Sequence, residues 1–283
     1  MISRKRKGTG RRRKGGKRVN RKIRLAAMAL LLAVFCGAGC VILVIRHRYA
    51  EEAQVYEQAA EEFLRWREGG AWEAADNASQ TADGAEDPDE SAPMVPLEVD
   101  FDRLLEVNDE IVGWLYCQDT QINYPVVQGS DDEFYLKHNF KKEPQNAGSI
   151  FVEAMNRPGF ADSNTVIYGH QMNDGSMFDA LGSWAEQEFY EAHPVMWLLT
   201  PEASYQVVLF SGYTTAALSD TYTVFTGPCR QLEEYLEQCA ANSDFEAQVE
   251  LDVGEKYITL STCAYDFENA RYVLHGKLVP MER

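Results

Sequence analysis

The residues with the clearest chemical potential are a cysteine and an arginine near the C-terminal end of the chain. Cys263 ends the run Tyr257–Thr262, which is rich in β-branched and aromatic residues and predicts a strand. A polar segment, 264–270, follows, and Arg271 begins a second apolar run that continues to Val279. A hairpin formed by these two runs would place a soft nucleophile opposite a permanent cation.

This pair also has a purely structural interpretation. Free cysteines often pack as small hydrophobic residues, and an arginine at the start of a strand commonly lies in solvent. The pair alone is therefore compatible with a catalytic role and with a structural role, and other parts of the sequence are needed to distinguish them.

A histidine would supply the acid–base group that cysteine chemistry needs, and the chain contains five. His170 ends a predicted strand before the turn-forming segment 171–175, a position at which catalytic groups are common. The other four have ordinary positions: His47 beside an apolar segment, His138 after a predicted helical turn, His193 before a proline and His275 in the last strand.

Charge is distributed unevenly along the chain. Residues 1–24 contain thirteen Lys or Arg and no Asp or Glu. Because the formal net charge of all 283 residues is −17, removing these thirteen cations leaves −30 for the remainder. A domain this acidic repels phosphate. We therefore expect no nucleic-acid partner.

An apolar segment, 25–45, directly follows the basic tail and contains no charge and no proline. About 20 such residues span a bilayer as a helix. The cations concentrated before it place the N-terminus in the cytoplasm and residues 46–283 outside, in a single-pass cell-membrane protein. A cleaved signal peptide is the alternative, since a small-residue cleavage site occurs at 37–39. The full spanning length favours a retained anchor.

Two further segments separate this anchor from the remaining sequence, together covering 46–98. Residues 49–68 have helix-forming composition with an apolar stripe at Val55, Ala59, Phe63 and Trp66, which predicts a stalk helix. Residues 69–98 are mainly Gly, Ala, Asp, Glu, Ser and Pro and predict a flexible acidic linker. The folded domain is therefore expected at 99–283.

The six cysteines do not predict a disulfide framework. Cys36 and Cys40 lie in the apolar segment, and Cys229 and Cys239 lie on one predicted helix, roughly 15 Å apart along its axis. An exported domain with unpaired cysteines either occupies a reducing niche or uses a thiol. No calcium-loop or zinc-ligand spacing is present, so we expect no metal and no cofactor.

The remaining pattern predicts a mainly β domain with added helices. Short strand-like runs with turn signals extend from 111 to 213 and resume at 257, and one clear helix is predicted at 229–241. This arrangement is typical of a closed or nearly closed β-barrel with helical decorations.

These motifs together resemble the class B sortases, cysteine transpeptidases of Gram-positive cell surfaces. The resemblance covers about 100–280 and implies an eight-stranded closed barrel. It is carried by Ile111–Trp114, Ile122–Gly129, Gly148–Phe151, Thr165–His170, Met177–Phe178 and Leu-Ser-Thr-Cys at 260–263 followed by Arg271.

The resemblance also implies roles for individual residues. Cys263 would be the nucleophile, His170 the proton donor and acceptor, and Arg271 the group that stabilises the oxyanion. Four residues would bind substrate: Leu136 and Tyr222 as walls of the groove, where core packing is nearly as plausible, and Ser261 and Thr262 through hydroxyls beside the nucleophile. Thr262 is equally explained as a good strand former. Asp132 stands where the family has an asparagine, which leaves that substrate contact open.

The activity implied is cleavage of a C-terminal sorting signal on a secreted protein, after Thr, followed by transfer to an amine of the cell-wall precursor. One alternative is a pilin-polymerising sortase, which uses a lysine amine of another subunit. An alternative from a different class is a catalytically silent, membrane-tethered binding module. The presence of Cys263, His170 and Arg271 argues against this last interpretation.

Overall fold

The structure is a computed structural model that describes residues 21–67, 95–264 and 267–281. Residues 1–20 of the expected basic tail, 1–24, and most of the expected acidic linker, 69–98, lie outside these ranges. The helices and strands, in chain order, are α1 (Arg21–Phe63), β1 (Leu64–Trp66), β2 (Leu97–Val99), α2 (Phe101–Val107), β3 (Ile111–Tyr116), β4 (Asn123–Val127), β5 (Ile150–Val152), β6 (Asn164–Tyr168), α3 (Gln187–Ala192), β7 (Val195–Leu199), β8 (Ser204–Ala216), α4 (Arg230–Ala241), β9 (Lys256–Cys263) and β10 (Ala270–Met281). Short 3₁₀ helices occur at Phe134–Leu136, Asp179–Ala185 and Asp220–Tyr222.

Eight strands form a closed barrel, as the sequence predicted. Their order around the barrel is β10-β8-β7-β3-β4-β5-β6-β9, and β9 pairs with β10 to close it. The β4–β5 and β6–β9 pairs are parallel, and the others are antiparallel. Closure leaves the barrel without free edges. It also brings β9 between β6 and β10, so residues distant in sequence share one end of the barrel.

Helix α4 covers part of the outer surface of this barrel. It buries Leu232, Tyr235, Leu236 and Cys239, which are spaced three and four residues apart and therefore lie on one helical face. These side chains pack in one cluster with Phe210, Tyr213, Phe225, Tyr257 and Val273 from the strands and loops. The helix predicted at 229–241 is thus present, with Cys229 as its N-cap residue.

The chain divides into two compact units, Met1–Tyr49 and Ala50–Arg283. In the first, α1 carries a stretch that is long and apolar enough to cross a membrane by length and composition, a test that a signal sequence near the N-terminus also meets. Its large apolar side chains, such as those of Leu31, Phe35 and Leu43, are exposed.

In the second unit, the segment from Ala50 packs onto the barrel. Tyr56, Ala59 and Phe63 are buried, and the Tyr56 hydroxyl donates a hydrogen bond to the carbonyl of Gly148. The compact unit therefore begins earlier than the boundary expected at 99. The predicted stripe was wrong at Trp66, which is 59% exposed, because α1 ends at Phe63 and the next residues pair with β2 instead.

A buried histidine makes the stability of this unit depend on pH. His275 is 1% exposed, and its Nδ1 lies 3.1 Å from Thr259 Oγ1. Burial disfavours the charged imidazolium and lowers the pKa of His275 to about 3. In the unfolded chain the His275 imidazole binds a proton near pH 6.5, but in the folded chain it does not. Its contribution to the free energy of unfolding is therefore fully present above pH 6.5 and is lost as the pH falls toward 3.

The free energy of unfolding should therefore fall by roughly 3 kcal/mol between pH 7 and pH 4 because of His275 alone. In the His275→Asn variant this part of the pH dependence should disappear, although the variant is less stable at pH 7. Urea unfolding of both proteins at the two pH values measures the difference. Equal losses in the two proteins would contradict the assignment.

Candidate active site

The β9–β10 register places Cys263 and Arg271 directly opposite each other. In an antiparallel pair, opposite residues project from the same face of the sheet, with their Cα atoms about 4.5–5.5 Å apart. Both side chains are partly exposed. The Arg271 Nη1 donates a 2.9 Å hydrogen bond to the carbonyl of Ala270, which fixes one end of the guanidinium. The register therefore sets the backbone positions of Cys263 and Arg271 across from each other at the end of the hairpin.

His170 reaches the same end of the barrel from the other neighbouring strand. β6 runs parallel to β9 with Tyr168 opposite Ser261, and the Gly169 amide donates to the Ser261 carbonyl at 3.1 Å. His170 is two residues beyond Tyr168, and Cys263 is two residues beyond Ser261. The parallel register thus brings the histidine and the cysteine to one edge although 93 residues separate them in sequence.

The imidazole of His170 is held by a backbone carbonyl. Its Nε2 lies 2.8 Å from the oxygen of Leu136. A carbonyl oxygen can accept but not donate, so Nε2 carries the proton in this arrangement and Nδ1 is the nitrogen left to exchange one. The His170 carbonyl in turn accepts from the Phe178 amide at 2.9 Å, which ties down the following loop.

The position of Leu136 depends on a glycine. Gly148 has φ +59°, in the left-handed region, and a Cβ there would lie 2.6 Å from the Tyr135 carbonyl oxygen and 2.9 Å from that of Leu136. A larger residue would displace the carbonyl that orients His170.

Tyr222 lies beside Ser261 and Tyr168 on one side of this site. The Tyr222 hydroxyl lies 2.9 Å from Ser261 Oγ, and its ring stacks on that of Tyr168 at 6.1 Å between centroids. Burial raises the pKa of Tyr222 above its usual value, while the bond with Ser261 and the charge of Arg271 act in the opposite direction. Tyr222 is therefore a neutral hydroxyl within electrostatic reach of Arg271.

The four predicted substrate-binding residues lie on two sides of Cys263. Ser261 and Tyr222 are on the side that also carries Arg271 and the Tyr168 ring, and the carbonyl of Leu136 lies at the His170 imidazole. Thr262 alternates to the opposite face of β9 and is buried beside Tyr272. Because side chains alternate along a strand, Ser261 and Thr262 project from opposite faces of β9.

Sequence reasoning did not identify a carboxyl pair near this groove. Tyr168 donates a 2.8 Å hydrogen bond to Glu153, whose pKa is raised by burial and by a hydrogen bond with Asp132. Asp132 also accepts from the Ala154 amide at 2.8 Å. The only signal in the sequence was the acid at 132 in place of an amide.

Within 21–67, 95–264 and 267–281, no group of three or more potential ligands is arranged to hold a metal ion.

The three other histidines of the unit from Ala50 onward have structural positions. His138 stacks on Phe134 at 4.0 Å, and His193 stacks on Phe189 at 4.3 Å. Each also has Nδ1 bonded to a backbone carbonyl of the same turn. With His275 buried under α4, His170 is the histidine that shares a barrel edge with Cys263.

Comparison with known proteins places this geometry in a family. A family model described as a sortase domain matches residues 115–279. The chain is 39% identical over 180 residues to Sortase B of Listeria monocytogenes strain EGD-e, covering 62% of this chain and 72% of that protein. Two solved structures, each 32% identical and each covering 64% of this chain, are also similar. They are a Staphylococcus aureus sortase B–substrate complex (TM-score 0.61, 85% of that chain) and a sortase B complexed with triglycine (TM-score 0.60, 86% of that chain).

Proposed function

Because the chain belongs to the class B sortases, a family of cysteine transpeptidases, we propose that it cleaves a C-terminal sorting signal after Thr and transfers the protein to an amine. The observation that carries the proposal is the register of β9 with both its neighbours, which gives Cys263 a cation on one side and a histidine on the other. A binding module would have no need of this arrangement.

In the first step the thiol proton of Cys263 is held by Nδ1 of His170, the Cys263 sulfur attacks the carbonyl carbon of Thr, and the carbonyl oxygen becomes an oxyanion. Arg271 stabilises that oxyanion with its N–H donors and its fixed charge; the guanidinium cannot serve as an acid or base here because it stays protonated. The C–N bond then breaks, and His170 gives a proton to the departing amine. The product is a thioester on Cys263.

The residues before the scissile bond lie, in this proposal, along the side formed by Tyr222, Ser261 and Leu136. The Tyr222–Ser261 hydrogen bond keeps two hydroxyls at the edge of the groove. Leu136 is partly exposed and supplies an apolar contact, and its own carbonyl orients His170. Substrate binding and acid–base chemistry are thus linked through one residue.

The thioester is resolved by an amine of the cell-wall precursor. A similar sortase B was solved in complex with triglycine, a peptide that carries a primary amine, and this supports a peptide amine as the acceptor. The alternative acceptor is a lysine side chain of a pilin subunit. Glycine and lysine amines can be compared directly in one assay.

Residues 25–45 anchor the protein in the cell membrane in this proposal, with the tail 1–24 in the cytoplasm and the stalk and linker, 46–98, outside. The catalytic domain, 99–283, is then extracellular, and the segment from Ala50 that packs on the barrel belongs to the same unit. The exposed apolar side chains of α1 and the cations before it support this topology.

The test uses the full chain in detergent with a panel of quenched peptides that carry different sorting signals. Each peptide is incubated with triglycine, with Nα-acetyl-lysine amide or without amine, and the products are identified by mass. We expect one signal to be cut after Thr and joined to an added amine. A folded chain that cuts none of the peptides and joins none to an amine would overturn the proposal.

A further inference from the structure

The part of α1 that packs on the barrel, residues 50–63, is tied to the β4–β5 connection by hydrogen bonds. Two residues of the helix bond the segment 145–148 at four points. Glu52 is the acceptor for Gln145 Nε2 (2.9 Å), Asn146 Nδ2 (3.0 Å) and the Ala147 amide (3.2 Å). Tyr56, which is buried, donates through its hydroxyl to the Gly148 carbonyl. Every residue of this segment is therefore bonded to the helix.

The same connection supports the turn that orients His170. Three hydrogen bonds join residues 145–149 to the turn 135–138: the Gln145 amide to the Lys137 carbonyl (2.8 Å), the Ser149 amide to the Tyr135 carbonyl (2.9 Å) and the Ser149 hydroxyl to the His138 carbonyl (2.8 Å). The remaining residue of the turn is Leu136, whose carbonyl oxygen lies 2.8 Å from His170 Nε2. The position of this oxygen depends on the connection and, through the connection, on the helix.

Tyr56 also contacts the support of the His170 backbone. Its ring packs edge-on against Tyr124, with 5.3 Å between centroids, and the Tyr124 hydroxyl accepts from the Met177 amide at 2.9 Å. Met177 has φ +59°, which residues other than glycine adopt uncommonly, so this hydrogen bond stabilises an unusual conformation. The next residue, Phe178, donates its amide to the His170 carbonyl. One tyrosine of the helix therefore lies at the start of two routes to the histidine.

The nitrogen that carries the proton determines what His170 can do. A neutral imidazole has one N–H, on Nε2 or on Nδ1. An acceptor at Nε2 selects the first form, in which Nδ1 has a free lone pair that can take the Cys263 thiol proton. If the Leu136 oxygen moves away, both forms are populated, and the fraction of enzyme that can begin the reaction falls.

We propose that Tyr56 and Glu52 are positioning residues for His170. They hold the segment 145–149 in place, and this segment keeps the Leu136 oxygen on Nε2. The inference rests on the proposed function, in which His170 carries protons during the reaction. The docked part of the helix is thereby part of the catalytic unit, although it lies outside the barrel.

Apolar contacts attach the helix independently of these hydrogen bonds. Ala59 and Phe63 are 2% and 1% exposed, about one and two turns beyond Tyr56 along α1. The helix should therefore stay docked when the polar contacts to 145–148 are removed. Their loss changes the geometry of the connection rather than the fold, so substitutions can test positioning without detaching the helix.

The first test measures peptide cleavage by variants of the full chain. Tyr56→Phe keeps the ring but loses the hydrogen bond to Gly148, and its kcat should fall roughly 3- to 10-fold, as expected for one lost hydrogen bond. The double variant Glu52→Ala/Tyr56→Phe loses three of the four bonds to the segment 145–148, and its kcat should fall further.

The matched control is Tyr257→Phe. Tyr257 is 1% exposed, and its hydroxyl donates to the Asp252 carbonyl at 2.9 Å, so this variant loses a comparable hydrogen bond. Tyr257 lies near the start of β9, whereas Cys263 ends that strand, about 20 Å away. Its kcat should match that of the unaltered chain. Equal losses of kcat in the two tyrosine variants would overturn the proposal.

The second test observes His170 directly and does not depend on catalysis. It uses the full-length Cys263→Ala protein, in which the imidazole cannot form an ion pair with the thiol, in detergent at about pH 8.5, above the usual pKa of histidine. Nitrogen-15 NMR of labelled histidine distinguishes the two neutral tautomers, and a His170→Gln sample identifies the His170 signals. The Nε2–H tautomer should predominate. Glu52→Ala/Tyr56→Phe should add the Nδ1–H tautomer, whereas Tyr257→Phe should not.

The inference and the proposed function can fail separately. If the unaltered chain cleaves no peptide, the proposed function fails, and the tautomer measurement still decides the positioning role. The proposal would be overturned if His170 kept the Nε2–H tautomer in the double variant, even where cleavage is slowed. It would equally be overturned if the Cys263→Ala protein itself lacked a predominant Nε2–H tautomer.

Discussion

Replacing Cys263 with alanine is expected to abolish acyl-enzyme formation and to lower peptide cleavage by at least about 10³-fold, because no other group can supply the covalent intermediate. The fold should survive, since the Cys263 side chain is only partly buried at the end of β9 and substitutions at such positions usually change stability by less than about 0.5 kcal/mol. Quenched-peptide cleavage and a thermal melt of the full chain measure the two effects.

Other cysteines provide the controls. Burial raises the pKa of Cys117 to about 12 and that of Cys239 to about 11, so neither forms a thiolate readily at neutral pH. Cys229 is partly exposed and unpaired at the start of α4, and Cys229→Ala should retain full activity. Substantial cleavage by a folded Cys263→Ala protein would show that the thiol is not the nucleophile.

Removal of the arginine opposite the cysteine is expected to have the next largest effect. Arg271→Ala should lower kcat by about 10²- to 10³-fold, the usual effect of losing one donor to a developing oxyanion. The physical reason is that charge on the substrate oxygen appears in the transition state, and the β9–β10 register places Arg271 across from the cysteine that creates it.

The Arg271→Lys variant distinguishes the effect of the positive charge from the effect of the planar N–H donors. Lysine keeps the positive charge but loses the planar set of N–H donors, so its activity should recover only in part, to about a tenth of the unaltered level or less. Arg230→Ala, at an exposed arginine paired with Glu234 on α4, is the matched control and should leave kcat unchanged. A kcat for Arg271→Ala within about threefold of the unaltered enzyme would exclude the proposed electrostatic role.

The strands that carry Cys263, Arg271 and His170 could be predicted because they depend on local patterns. The run ending at Cys263 has strand-forming residues throughout, and Arg271 begins a second such run after a short polar segment, so their pairing required only a hairpin. His170 was identified by its position at a strand end. The family resemblance implied that His170 acts with Cys263, but the parallel β6–β9 pairing that brings them together is not specified by local sequence.

Features that depend on long-range packing were not predicted. Trp66 was assigned to a helical stripe because its spacing fits one, but pairing of Leu64 with Val99 converts the segment to a strand. The Glu153–Asp132 pair forms because a loop folds back over the end of β5, and nothing adjacent in sequence signals it.

The most direct measurement is the intact mass of the full-length protein after brief exposure to a cleavable sorting-signal peptide without added amine. The account predicts a mass increase equal to the peptide fragment ending in Thr, located on Cys263 by fragment mapping and removed when triglycine is added. An adduct on another residue, or peptide cleavage with no covalent species on Cys263, would contradict the account.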